Sequence, residues 1–149
     1  MNRKAFLKMT CLACAGTAVM PSLMQGCRSV KVSASRIVGS DLMISADEFL
    51  KDPNVPGSYR KYVVIHNEQL KFPVCIYRFD DDTYSAIWMQ CSHQGTELQV
   101  FGDKLQCPAH GSEFNNYGEV ENPPAFKSLR TFKVTREKNT IYISLKSVS

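Results

Sequence analysis

The segment CSHQGTELQVFGDKLQCPAHGSEF, residues 91–114, carries two of the chain's three histidines, each a short step after a cysteine. Cys91-Ser92-His93 is a C-x-H step, and Cys107-Pro108-Ala109-His110 is a C-x-x-H step. Between them LQVF, GDK and LQC read as two short strands closed by a tight turn through Gly102-Asp103. A hairpin brings its two ends together. The two Cys/His pairs are therefore expected side by side, on two loops at one tip of a sheet, within reach of a single site.

Outward from this segment the chain alternates short apolar runs with turn signals. YVVIH (62–66) is β-branched and ends at Asn67-Glu68. FPVCIYRF (72–79) runs into three aspartates at 80–82, and TYSAIWM (83–89) places Tyr84, Ala86 and Trp88 on one face. LRTFKVT (129–135) and TIYISL (140–145) flank REKN as a closing hairpin. Strands this short, with turns this frequent, predict an all-β antiparallel sandwich or small barrel. SADEFL (45–50) predicts one helical turn, with Ser45 and Glu48 as a capping box. His66 reads as a surface histidine at a strand end, and Cys75, between Val74 and Ile76, as a small buried hydrophobe. Trp88 and the Tyr and Phe residues read as core, and the three aspartates as a solvated turn.

The other end of the chain has a different character. MNRKAFLKMTCLACAGTAVMPSLMQGC (1–27) has a basic start, an apolar middle and a small residue, Gly26, before Cys27, which is the order of an export signal. The clean apolar run, Met9 to Met20, is about a dozen residues, short of the roughly 20 that a membrane span needs, and Pro21 follows at once. NRKAFLK is similar to a twin-arginine export motif with Lys4 in place of the second arginine, which leaves the export route open. LMQGC resembles a loose lipoprotein cleavage box, with Met24 where leucine is usual. Cleavage before Cys27 and lipidation of its thiol and amine would anchor the product to a bacterial membrane, since two or more acyl chains hold stably. Without the lipid the product would be periplasmic. Cys11 and Cys14 fall inside the apolar run, where a metal or redox role is not expected. Residues 28–36 read as a linker and 37–149 as one domain, a length that suits a single core.

The whole chain carries a net charge of +4, with 44% hydrophobic and 21% charged residues. The excess is local. No acidic residue precedes Asp41, and Arg3, Lys4 and Lys8 lie in the first 26 residues, so 15 of the 18 basic residues remain beyond them, against all 14 acidic ones. A nearly neutral domain lacks the basic surface that phosphate binding requires, so no nucleic-acid partner is expected.

Two thiolates and two imidazoles suit two kinds of centre. Zinc takes Cys₂His₂ tetrahedrally, but zinc fingers group cysteine with cysteine and histidine with histidine on separate elements. Here each loop gives one of each in matched order. A 2Fe–2S cluster of the Rieske type needs Cys₂ on one iron and His₂ on the other, which this order satisfies. CSHQG and CPAHGSEF resemble the two cluster-binding loops of Rieske iron–sulfur proteins, and the resemblance runs from about Asp41 to Leu145. It implies a small antiparallel sandwich with a cluster-binding subdomain of two loops. It further implies Cys91, His93, Cys107 and His110 as metal ligands, and Ser112 as the hydroxyl that bonds to a bridging sulfide. ENPPAF (121–126) is similar to the proline loop that covers the cluster from a third side.

The departures are informative too. High-potential family members carry an extra cysteine in each loop, joined as a disulfide, where this chain has Thr96 and Ala109. Its loops must be held by hydrogen bonds and the proline loop instead. Phe114 stands where those members have a tyrosine that donates to a cysteine sulfur. Each lost donor lowers the potential, so the lower-to-middle part of the roughly −150 to +300 mV Rieske range is expected.

The resemblance implies one-electron transfer, by an exported carrier or by an electron-transfer subunit of a membrane or periplasmic oxidoreductase. A redox partner protein would dock at the exposed edges of His93 and His110. No nucleotide-binding glycine loop is seen, and no small-molecule substrate or catalytic site of its own is evident. Beyond the two ligand histidines only His66 remains, too few for the two-His, one-carboxylate iron of an oxygenase. An assembly or redox-sensing subunit of the same fold is the alternative, and a zinc-binding structural module a third.

Overall fold

A computed structural model describes residues 35–52 and 54–146. The expected export signal, Cys27 and most of the linker lie outside the described residues. Ser35 and Arg36, from the end of that linker, are described, and Arg36 opens the first strand.

Strand β3 (Tyr62–Ile65) pairs with β4 (Val74–Arg78), and β4 with β5 (Tyr84–Trp88), all antiparallel. The sequences YVVI and VCIY are apolar without alternation, and the structure supplies the reason: these strands are covered on both faces. Val63, Ile65, Val74, Ile76 and Ala86 enter one core, while Val64, Cys75, Tyr77 and Ile87 enter another. Tyr84, Ala86 and Trp88 do share a face, as expected, and it is the first of these.

That first core is a sandwich. Strands β1 (Arg36–Val38), β2 (Asp41–Ser45), β10 (Thr131–Glu137) and β11 (Thr140–Ser144) extend the sheet into the order β1-β2-β11-β10-β5-β4-β3. Strand β10 turns the corner. Its first two residues pair with β5 at Ile87 and Ala86, and Lys133 onward pairs with β11. The sheet thus folds over itself, and Leu42, Ile44, Ile141 and Ile143 meet the inner face of β3–β5. The closing hairpin read at 129–145 is β10–β11. Strands β1 and β2 were not read from the sequence: DLMIS is only five residues long and abuts the helical turn. The expected helical turn is a 3-10 helix, Ala46–Phe49. Ser45 is its N-cap, as expected, and the Ser45 hydroxyl accepts from the Asp47 N–H at 3.2 Å.

The second core lies under a smaller sheet, with β6 (Gln99–Phe101), β7 (Lys104–Gln106), β8 (Glu113–Asn115) and β9 (Val120–Asn122) in chain order. The hairpin through Gly102-Asp103 is β6–β7, as expected, and β8 and β9 continue it. Leu105 and Phe114 of this sheet, with Leu98 just before it, pack with Cys75, Tyr77 and Ile87 of the larger one. Gly118 locks the joint. It has φ +83°, and a Cβ there would lie 3.3 Å from Leu129 Cβ, while its carbonyl accepts from Leu129 N–H at 2.8 Å. Lys61 and Asp103 also bridge the two sheets at 3.0 Å, an exposed pair worth little.

Candidate metal centre

Each cysteine sits at the root of a loop, and the two loops are built alike. Cys91 follows β5, and its N–H donates to the Thr96 carbonyl at 2.8 Å while Gly95 N–H returns a bond to the Cys91 carbonyl. Cys107 follows β7, and its N–H donates to the Ser112 carbonyl at 2.8 Å while Gly111 N–H returns to the Cys107 carbonyl. Gly95 and Gly111, each four residues after its cysteine, take φ +74° and +77°, a conformation that side chains rarely adopt. The backbone folds back so tightly that amide N–H groups converge on each sulfur: those of His93 and Gln94 on Cys91, and those of Ala109 and His110 on Cys107.

The two expected cysteines lie next to each other, and so do the two expected histidines. Both thiols are only 2% exposed and lie within hydrogen-bonding reach of each other. Burial raises the Cys91 thiol above its ordinary range. Cys107 is buried too, but hydrogen bonding, chiefly from the Ala109 amide, the Cys91 thiol and the His110 amide, outweighs that burial and holds its thiol below the ordinary range. Further out, the His93 and His110 rings stand edge to face with centroids 5.1 Å apart. His93 is half-buried and His110 exposed. The donors are therefore sorted by type, sulfur inside and imidazole outside. Among the described residues no three of His, Cys, Asp and Glu converge on one point as a single ion requires. His93 Nδ1 is buried and has no hydrogen-bond partner, a state that costs free energy unless something accepts its lone pair. This donor set fits a binuclear centre with unlike ends.

The proline loop closes the third side. Asn122 Nδ2 donates to the Gly111 carbonyl at 3.1 Å, the Ala125 N–H to Ser112 Oγ at 3.0 Å, and Ser92 Oγ to the Lys127 carbonyl at 2.6 Å. Pro123–Pro124 is cis. These three bonds tie residues 122–127 to both cysteine loops, as expected for loops without a disulfide. The described cysteines, Cys75, Cys91 and Cys107, are all free. Ser112 is fully buried, and because its oxygen accepts from Ala125 its own proton stays free to donate. Phe114 is fully buried in the core that holds both cysteines. Beside the first loop an open cleft of about 380 Å³ runs between Trp88, Gln90, His93 and Arg130.

The remaining candidates fall where the sequence put them. His66 is exposed just beyond β3. Cys75 is fully buried, and burial pushes its thiol far up. Trp88 packs edge-on against Phe72 and Phe132 and donates its indole N–H to Gln90. Two features of the site went unread: the matched backbone bonds by which Thr96 and Ser112 close the two loops, and the left-handed glycines before them. A signal for them exists in the repeat CSHQGT/CPAHGS, with glycine four and a hydroxyl residue five places after each cysteine.

A family model described as the Rieske 2Fe-2S domain matches residues 50–133. Among curated proteins the chain is 32% identical over 68 residues to human (Homo sapiens) apoptosis-inducing factor 3, covering 43% of this chain and 11% of that one. It is 33% identical over 84 residues to the oxygenase component of dicamba O-demethylase from Stenotrophomonas maltophilia, covering 50% of this chain and 25% of that one. The chain thus spans a quarter or less of these relatives' length. Among solved structures the ferredoxin of carbazole 1,9a-dioxygenase from Nocardioides aromaticivorans aligns with a TM-score of 0.50 at 22% identity, covering 78% of this chain and 100% of the ferredoxin.

Proposed function

As the chain belongs to the Rieske 2Fe-2S domain family, whose cofactor is a Rieske-type cluster and whose chemistry is electron transfer, we propose that Cys91 and Cys107 hold its inner iron, and His93 and His110 its outer one. The observation that carries this assignment is the sorting of donors, two buried thiols behind two imidazoles, with His93 Nδ1 buried and unpartnered. The cluster, when bound, takes up and releases one electron at a time. The chain's own residues do the rest. With the cluster bound, four amides would stabilise the two thiolates, Ser112 would have a proton to offer it, and the proline loop would keep water from the inner side.

Electrons enter and leave at the imidazole rim, where a redox partner protein docks. This reading is supported by the exposure of His110 and by the uncharged loop sequences CSHQGT and CPAHGS around it. The protein acts outside the cytoplasm, as a carrier or as the electron-transfer subunit of a membrane or periplasmic oxidoreductase, held by a lipidated Cys27. What supports export is the order of basic, apolar and small residues in 1–27. Among the described residues no helix is long and apolar enough to cross a membrane.

The test is to purify the protein and measure iron, acid-labile sulfide and the electron paramagnetic resonance spectrum. Two iron and two sulfide per chain with a mixed N/S-ligand signal are expected. Replacing His93 or His110 by Ser should remove that signal, and replacing His66 should not. Zinc without sulfide would end the reading. Fatty-acid labelling that persists in a Cys27→Ser protein would refute the anchor.

A further inference from the structure

We infer that the redox partner seats on the segment 126–130 beside the imidazole rim and presents a carboxylate there, which Arg130 receives in the cleft against His93. The inference rests on the docking reading above and deepens it by giving the chemistry of the partner's face.

The cleft carries the argument. It is lined by Trp88, Gln90, the first loop from Cys91 to Gly95, and Leu129 and Arg130. None of these residues is acidic, and Arg130 brings the lining a permanent positive charge. Arg130 is held in place without being neutralised. Its carbonyl accepts from the Trp88 N–H at 2.9 Å, and one Nη donates to the Leu145 carbonyl at 3.0 Å. The guanidinium carbon lies 4.8 Å from the centre of the Phe132 ring and 5.9 Å from that of Trp88. No carboxylate pairs with it among the described residues. A guanidinium held by ring faces and one carbonyl keeps its charge and most of its N–H donors unspent, and its planar fork matches a carboxylate.

The neighbouring residues agree. Ser92 Oγ donates to the Lys127 carbonyl at 2.6 Å and the Ala125 N–H to Ser112 Oγ at 3.0 Å, so the residues on either side of Phe126 are tied to the two cysteine loops. Phe126 between them is 84% exposed, an apolar contact on the same short segment as the charge. Aromatic and arginine side chains are the usual anchors of an interface. The run AFKSLR (125–130) carries two cations, Lys127 and Arg130, and no acid. Glu97, opposite Gln90 at the base of the first loop, does not line the cleft. Because the domain as a whole is nearly neutral, this local charge rather than a net field orients what docks. It attracts a carboxylate and repels an ammonium.

The experiment uses two protein probes of opposite surface charge: lysine-rich cytochrome c, and the same protein with its lysines succinylated, so that ammonium groups are replaced by carboxylates. The reduced, cluster-loaded protein is mixed with each ferric probe in a stopped-flow instrument at low and at high salt. One electron passes from cluster to haem, and no bond forms or breaks. The wild-type paramagnetic signal establishes the cluster first, so a failure here leaves that assignment standing. At low salt the succinylated probe should be reduced faster, and the preference should shrink as salt screens the pair. Arg130→Gln should cut the preference about tenfold. Gln94→Glu, which sets a carboxylate of the chain's own in the cleft and leaves the packing of Arg130 intact, should cut it likewise. Both probes meet the same donor, so a change in its potential largely cancels in the ratio. A wild type without preference or favouring the native probe overturns the inference, as does a preference that survives in either variant or at high salt. A loaded protein that reduces neither probe overturns it too, and the docking reading with it.

Discussion

Replacing Ser112 by Ala removes one oxygen that serves two neighbours. Ser112 is fully buried, and its hydroxyl accepts the Ala125 N–H at 3.0 Å. Ala125 is itself only 3% exposed, so no water replaces the lost acceptor. An orphaned buried amide costs about 1–3 kcal/mol, which for a domain of this size is a fall of several degrees in melting temperature. The second effect is on potential. On the proposed reading the hydroxyl proton, left over because the oxygen is the acceptor, would be a charge-assisted donor to the cluster, and such bonds are worth roughly 1.5–3 kcal/mol. Only the part that grows on reduction counts. At about 59 mV per tenfold change, or about 40 mV per kcal/mol, a growth of 1–2 kcal/mol lowers the potential of the variant by roughly 40–80 mV. Urea unfolding of the loaded protein reads the first effect and protein-film voltammetry the second. A variant that keeps its cluster, loses stability and holds its potential would refute the donor role while sparing the anchor to Ala125. One unchanged in both would refute the placement of Ser112 altogether.

Three further outcomes follow from particular contacts. Phe114→Tyr adds a hydroxyl in a fully buried site beside both cysteines; it should raise the potential in voltammetry while costing about 1–3 kcal/mol from overpacking, and an unchanged or lower potential means that the ring does not point at sulfur. Gly118→Ala should destabilise by about 1–3 kcal/mol in urea titration, because φ is +83° and the new Cβ would lie 3.3 Å from Leu129 Cβ; a neutral result refutes the tight joint between the sheets. The Asp80 carboxylate accepts the Asp82 N–H at 2.9 Å and the Thr83 N–H at 2.7 Å, which holds its pKa below the usual value. A carboxylate with a lowered folded pKa adds stability above its unfolded pKa of about 3.9 and loses it as pH falls through the folded value, so Asp80→Ala should flatten the acid limb of the stability curve. A limb as steep as wild type refutes that account.

The parts of the fold that were legible are those where pattern and burial agree. The runs at 62–66, 72–79 and 83–89 are apolar enough to be strands on any reading. The paired C-x-H and C-x-x-H steps around a glycine turn leave few ways to arrange four ligands. What stayed hidden depends on partners distant in sequence. DLMIS becomes a strand because β11 lies beside it, with Ile44 opposite Ile141 and Leu42 opposite Ile143. Strands β8 and β9 have three residues each, too few for periodicity to speak.

The inward placement of both sulfurs, each 2% exposed, against an imidazole rim that includes the exposed His110, would give the proposed centre one accessible side. On the proposed docking face, donor and acceptor must use the same doorway, and so in succession. With both present, turnover should rise and then fall as either is raised, since an excess of one keeps the other out. Throughput is then governed by release. A contact strong enough to orient but too small to hold, of the kind below about 1,200 Å² that transient redox encounters use, would serve such a protein better than a tight one.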